Sequence, residues 1–384
     1  MTDIPFTPAP HSEKRIIKSL ERSLSWLATL LKLTKPPSTM DEGSHPNVFV
    51  HMAGGINDVA RDDFATGLLE PLEGPEARTL NPLGLHTLDD GISGYVFDLV
   101  PLQTSLNSAL DEETTLIPLI HTSLSPLPPS KPRLATSSTS PHQILHLIEN
   151  GIDLFDAHFA QKAADWGVAL DFKFPAPDGP PKSSIGHNLY DESHADEFIP
   201  LSSNFMGAAE QTTEKNKPSC SCIACSPKFS SNPIIHSSID SISWTTDSSE
   251  SHAPPVTRAY IHHLLHTHEM AAHAMLASHN ITILSQFLAD IRHHLTQSPD
   301  TFSSEIRRFE SVYASPLGDE GVLAKAKKQW EEVDLARGKG RMAREKAAKD
   351  ADAQVIVDQE AAGMVNKLQR LDVAANVADE ILGS

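Results

Sequence analysis

Between Glu13 and Leu33 the apolar residues Ile16, Ile17, Leu20, Leu24, Leu27 and Leu31 return every three or four positions, the spacing that gathers them on one face of an α-helix. Pro36-Pro37 ends that pattern, because proline cannot continue a helix. A helix of this kind needs a core to cover. The pattern then changes to short apolar runs. Asn47-Val-Phe-Val-His-Met52 reads as a buried strand running into Gly54-Gly55, where a sharp turn or a close backbone approach is expected. Gly94-Tyr-Val-Phe-Asp-Leu-Val100 repeats that character, and Pro132-Arg-Leu-Ala-Thr-Ser137 does so over fewer residues. Ser140 caps a helix with Pro141 at its first position, Ile144, Leu145 and Ile148 as its apolar stripe and Gly151 as its stop. Ile152-Asp-Leu-Phe-Asp156-Ala-His-Phe159 follows at once as another strand. Strands alternating with helices over residues 13–160 predict a parallel α/β sheet.

Periodicity fades further along. Residues 175–219 and 226–255 are rich in Ser, Pro, Asp and Asn, and are expected to be flexible insertions. Thr257 to Ser278 and Asn280 to Thr296 read as two helices, and Phe302 to Tyr313 as a third. Beyond Pro316 the composition turns to Ala, Lys, Glu and Asp. There Val357, Ala361, Met364, Leu368, Leu371, Ala375, Ala378 and Leu382 alternate steps of four and three. That seam suits a partner helix, or, with alanine at so many positions, a solvated and frayed one.

A chain of 384 residues has room for two or more domains and a sizeable core. Its formal net charge of -19 gives an averaged field that repels phosphates, so tight unaided binding of RNA or DNA requires a local basic patch. No stretch supplies the uninterrupted apolar run of a membrane span, and the first residues lack a basic flank followed by an apolar segment.

All 3 cysteines fall in Cys220-Ser-Cys222-Ile-Ala-Cys225. Thiolates spaced in this way along a tight turn can converge on three faces of a tetrahedral Zn²⁺, with the fourth ligand coming from elsewhere, so a closed Cys3His structural site is expected. Disulfides fit less well, because Cys220 and Cys222 are too close for unstrained bridging and an odd count leaves a thiol over. Three unrelated surface thiols are the remaining alternative. His252, His262, His263, His266, His268, His273 and His279 all lie downstream, and spacing does not rank them as fourth ligand. His262 and His266 share a helix face at i,i+4, which suits either a second metal site or ordinary polar positions on a half-buried helix. So few cysteines, arranged as metal ligands, point to a reducing, cytosolic compartment.

Gly151-Ile-Asp-Leu-Phe-Asp156, the cysteine triplet, Thr257-Arg-Ala-Tyr-Ile-His-His-Leu264, His279-Asn280 and Ile291-Arg292 occur in this order. Together they resemble the tRNA-guanine transglycosylase family, over roughly residues 1–314 with the insertions excluded. Pro132-Arg-Leu, Phe155-Asp-Ala-His-Phe159 and Gly167-Val-Ala-Leu170 resemble its non-catalytic accessory members in particular. The resemblance implies a (β/α)8 TIM barrel with a zinc-binding subdomain near its C-terminal end, one zinc per chain, and His279 as the fourth ligand beside Cys220, Cys222 and Cys225. The activity it implies is exchange of guanine for queuine or a precursor base at the tRNA anticodon wobble position. One aspartate attacks the ribose and a second serves as general acid/base. Asp156 aligns with the nucleophile, at the end of a barrel strand where such chemistry sits.

Departures from the catalytic pattern change the expectation. Ala53 stands where catalytic members have a base-reading Gln, Phe97-Asp98 where they have a Gly-Gly turn, and Ala160-Gln-Lys-Ala-Ala164 where a Pro-Thr-Arg stretch contacts tRNA. The segment bearing the general acid and the family's Asp-Ser-Gly-Gly-Phe-Gln stretch belongs, by the resemblance, before Thr2-Asp-Ile-Pro-Phe6. The residues given therefore read as the last four or so strands of the barrel, either through truncation or with a partner and the insertions covering the exposed edges.

The expected organisation is a partial barrel over 1–174, an insertion over 175–219, the zinc subdomain and closing helices over 220–314, and a helical extension over 315–384. The resemblance implies pairing through the zinc subdomain. Tyr260 and His263 match interface positions, although Val256 replaces the interface Trp. The leading expectation is a non-catalytic subunit that forms a heterodimer with the family's catalytic, queuine-inserting subunit and meets tRNA through that complex. It is expected in the cytoplasm, without integral membrane association; the outer mitochondrial face is a peripheral location that the resemblance adds. An enzyme acting through Asp156 and a degenerate zinc-binding interaction module are the alternatives.

Overall fold

The structure is a computed structural model that describes residues 3, 11–34, 46–105, 112–178, 180–202, 220–226, 255–318 and 320–336, with 346 and 349. Residues 1–326 form one compact unit and 327–384 a second. The seam expected from Val357 to Leu382 lies outside the described residues.

Helix α1 (Glu13–Thr34) forms where the apolar spacing predicts it, and its Leu20, Leu27 and Leu31 enter the main core. The sheet consists of β1 (Phe49–His51), β2 (Gly94–Asp98), β3 (Arg133–Thr136) and β4 (Leu154–Phe155), all parallel and in sequential order. Helices fill each crossover, as parallel pairing requires. They are α2 (Asp58–Leu69) and α3 (Gly74–Leu80), then α4 (Leu99–Ser105) and α5 (Glu112–Leu124), then α6 (Pro141–Glu149). Val50, Tyr95, Phe97 and Ala135 from the strands meet Phe64, Leu68, Leu116 and Ile120 from the helices in one apolar core. Among the described residues no helix is long and apolar enough to cross a membrane.

The turn after β1 shows why two glycines stand there. Gly54 has φ +107° and Gly55 φ +57°, a region that side-chain-bearing residues avoid. A Cβ on Gly54 would also come within 2.7 Å of the Arg61 backbone nitrogen. Arg61 is buried, and donates from Nε to Gly55 O at 2.9 Å and from a terminal nitrogen to Ser123 Oγ at 3.0 Å. Burial pulls its pKa down to about 10, which leaves it cationic at neutral pH. Gly54→Ala is expected to lower stability by roughly 2–4 kcal/mol, from backbone strain and overpacking together, read as a shifted denaturation midpoint.

Two predicted elements are redrawn. The strand expected over residues 152–159 is only β4, because α7 (His158–Asp165) begins at once and Asp156 Oδ1 accepts the His158 N–H at its start. Helix 257–278 is interrupted: α8 (Arg258–His266) stops and α9 (Met270–Gln297) follows. His268 takes φ +59°, with His268 N–H bonded to Leu265 O and Glu269 N–H to Leu264 O, a Schellman cap built without glycine.

The insertion expected over 175–219 is folded across residues 180–202. There β6 (Gly186–Asn188) pairs antiparallel with β5 (Val168–Leu170), and Ile185, Leu189, Tyr190 and Leu201 are buried. Three of its polar side chains, His187, Glu197 and Ser202, join a network with buried partners. Buried Arg258 reaches Glu197 at 3.1 Å and His187 at 2.8 Å, and His187 and Ser202 both contact buried Asp171. Residues 203–219 and 227–254 lie outside the described residues.

Candidate metal centre

Cys220, Cys222 and Cys225 sit on a turn held by Ser226, whose N–H bonds to Cys222 O at 2.9 Å and whose hydroxyl bonds to Cys220 O at 2.6 Å. The Cys225 N–H points at Cys222 Sγ, 3.2 Å away. His279 comes from the middle of α9 and is fully buried. Its Nε2 lies 2.9 Å from Leu170 O. A carbonyl only accepts, so Nε2 carries the proton and Nδ1 presents its lone pair to the sulfurs. This is the orienting contact that metal-binding imidazoles usually have.

Nδ1 of His279 lies 3.7, 3.7 and 3.3 Å from the sulfurs of Cys220, Cys222 and Cys225. Metal–sulfur bonds of about 2.3 Å and a metal–nitrogen bond of about 2.0–2.1 Å at tetrahedral angles require a separation of about 3.6 Å. The donor set fits a zinc ion. The four ligand atoms lie within 4.8 Å of one another, and all four residues are buried, so the arrangement is closed. A structural site has this form, whereas a catalytic one keeps a position open.

The electrostatics point the same way. Neighbouring sulfurs drive the Cys222 thiol far below its ordinary pKa and the Cys225 thiol far above it. Burial opposes charge on His279, yet contacts to Cys220 and Cys222 raise its pKa to about 9. Without a cation, the four groups share protons because the sulfurs cannot all ionise side by side. A divalent ion at their centre replaces those protons and removes the conflict.

Asn280 is also fully buried. Its Oδ1 accepts the Leu170 N–H at 2.9 Å, and its Nδ2 donates to Val168 O at 2.9 Å and Ala160 O at 3.2 Å. His279 and Asn280 together therefore satisfy one edge of β5 while β6 pairs with the other. Sequence spacing gives no signal for this role, because both backbone partners lie more than a hundred residues away.

The start of α8 adjoins the cysteine turn: Val256 N–H bonds to Ala224 O, Arg258 N–H to Ile199 O, and Pro200 bridges to Thr257. Tyr260 is 50% exposed and His263 is exposed, so neither is core packing. Phe198 at 75% and Ile223 at 64% exposure add apolar surface from the two segments bonded to this helix start. Phe198 was invisible to sequence reasoning because it falls in a Ser/Pro/Asp-rich stretch.

Asp156 follows β4 and is half-buried; its Oδ2 accepts the Ser137 N–H at 2.9 Å and its Oδ1 the His158 N–H at 3.2 Å. Asp98 stands at the corresponding end of β2, its Oδ1 accepting the Val100 N–H at 3.1 Å.

The family model described as queuine tRNA-ribosyltransferase matches residues 1–243 and 245–315. Similar proteins include queuine tRNA-ribosyltransferase accessory subunit 2 of Ixodes scapularis, 25% identical over 76% of this chain and 59% of that protein. The protein of the same name from Aedes aegypti is 25% identical over 82% of this chain and 59% of its own length. The one from Homo sapiens is 26% identical over 74% of this chain and 59% of its own length. The chain thus spans about three-fifths of the length of these curated relatives. With the family model covering most of its length, the chain belongs to the queuine tRNA-ribosyltransferase family.

Proposed function

We propose that this chain is a non-catalytic, zinc-binding accessory subunit that pairs with the catalytic queuine tRNA-ribosyltransferase subunit in exchanging guanine for queuine at the tRNA wobble position. Residues 1–174 are then the later part of a (β/α)8 barrel, and Cys220, Cys222, Cys225 and His279 hold one Zn²⁺ in the subdomain over 220–314. The carrying observation is a closed cluster of four ligands joined to a helix that exposes Tyr260. Zinc ligation fixes the cysteine turn and, through Ala224, the start of α8, so little ordering entropy remains to be lost when a partner docks there. The net charge of -19 accords with tRNA contacts supplied mainly by the partner, in the cytoplasm or at the outer mitochondrial face.

The test mixes the purified chain with the catalytic subunit and follows complex mass and guanine exchange on tRNA. A heterodimer that raises exchange, and keeps doing so with Asp156→Ala, is the expected result. Tyr260→Ala is expected to weaken pairing about 30-fold, the equivalent of a ~2 kcal/mol hot spot. No complex and no change in exchange would overturn the reading.

The position of Asp156 after β4 favours one alternative, in which this chain attacks the ribose itself. Against that role, both oxygens of Asp156 already accept backbone N–H groups, as in a carboxylate that fastens a loop. A covalent tRNA adduct formed by the chain alone and lost in Asp156→Ala would establish the enzymatic reading.

A further inference from the structure

The i,i+4 pair on α8 has a feature that sequence spacing alone does not supply. His262 Nδ1 lies 3.0 Å from Leu189 O, and His266 Nδ1 lies 2.9 Å from His262 O. Each carbonyl can only accept, so in both rings Nδ1 carries the proton and the lone pair is on Nε2. Among the described residues no hydrogen-bond partner is found for either Nε2. The ring centres are 4.1 Å apart with their planes at 39°, so the two rings lie side by side on one face of the helix, and the Tyr190 ring meets His266 edge-on at 5.8 Å. Carbonyl contacts that fix the tautomer and steady the ring are the usual outer support of a histidine metal ligand. Burial, and after it the adjacent His266, lowers the pKa of His262, which keeps that ring neutral at physiological pH.

We propose that His262 and His266 form a second metal site, open to solvent, that takes an imidazole-preferring divalent cation such as Ni²⁺, Cu²⁺ or Zn²⁺ through the two Nε2 atoms. Among the described residues the four-residue sulfur cluster is the only group of three or more ligands, so water completes this second site. Two neutral nitrogens and water select against Mg²⁺ and Ca²⁺, which require oxygen donors. The site is labile where the sulfur centre is closed. It links two successive turns of α8, one of them already tied by His262 to Leu189 O, and so stiffens the helix that carries Tyr260 and His263. It is independent of whether the chain acts as an accessory subunit.

The test is calorimetric titration of the untagged full chain, its sulfur centre loaded with zinc, using Ni²⁺ as probe. One Ni²⁺ per chain is expected, with affinity reduced about ten- to hundredfold or more in His262→Gln and in His266→Gln, at least the scale on which losing an orienting partner acts. His293→Gln, on the exposed face of α9, is expected to titrate like the parent. His266 is exposed, so its replacement leaves the packing intact and decides the matter even if the His262 variant misfolds. No Ni²⁺ uptake by the parent chain would overturn the proposal. So would a His266→Gln variant or a folded His262→Gln variant that binds like the parent, an equal loss in His293→Gln, or zinc released in step with nickel uptake.

Discussion

Replacing Cys222 by alanine is expected to abolish metal retention and to remove most of the chain from the soluble fraction, rather than to lower its melting temperature by a few degrees. Cys222 is 4% exposed and supplies one of four donors to a closed centre. With one donor gone, two sulfurs and a buried imidazole face a gap that water would have to fill. Structural zinc contributes about 10–16 kcal/mol of apparent folding free energy in small finger peptides, which matches or exceeds the roughly 5–15 kcal/mol that holds a typical domain together. Even a fraction of that is a large share here. The cysteine turn lies between the folded segment ending at Ser202 and the start of α8, both bonded to each other. His279→Ala is expected to do the same, because it also leaves Leu170 O without its donor in a fully buried position. Zinc per chain together with soluble yield reads both outcomes. A Cys222→Ala chain that stays soluble and melts like the parent would contradict the structural role.

Asn280→Ala is expected to cost about 3–5 kcal/mol while leaving the four metal donors in place. The side chain makes three buried hydrogen bonds, to Leu170 N, Val168 O and Ala160 O. Each backbone group stranded without a partner costs about 1–3 kcal/mol, and among the described residues no β-strand pairs with that edge of β5 to replace the lost contacts. Asn280→Asp is a sharper variant. It keeps an acceptor for Leu170 N but turns a second oxygen towards the Val168 and Ala160 carbonyls, so it too is expected to destabilise the chain. Equilibrium denaturation with zinc content measured alongside separates this effect from metal loss. A shift below about 1 kcal/mol in Asn280→Ala would show that water or relaxation satisfies the edge of β5.

Much of this architecture is legible in the sequence wherever a local rule and the tertiary structure agree. The helix over 141–149 is one case: Ser140 Oγ accepts the Gln143 N–H at 3.0 Å, Pro141 opens the helix, and Gly151 closes it at φ +88°. The same cap at the end of α8 escaped notice because His268 occupies the left-handed position. Nothing in the residue type announces it. The fold over 180–202 was equally hidden, since its anchors Ile185, Leu189, Tyr190 and Leu201 follow no period and its polar groups find their partners only in three dimensions.

The metal cluster divides in the same way. The x1 and x2 spacing marks the three cysteines, and only the family resemblance separates His279 from the six other histidines weighed as fourth ligand. In the structure five of those six are placed away from the cluster for different reasons. His262 and His266 face each other on α8, His273 bonds to Ala164 O, His263 is exposed, His268 caps a helix, and His252 lies outside the described residues. The role of Asn280 was not legible at all, because a lone Asn within a helical pattern ordinarily signals nothing more than a polar position.

Zinc K-edge absorption spectroscopy of the purified, desalted chain examines the proposed centre itself. One zinc per chain is predicted, with three sulfur neighbours at about 2.3 Å and one nitrogen at about 2.0–2.1 Å. A folded, soluble chain that retains no zinc, or a zinc surrounded only by oxygen and nitrogen, would contradict it.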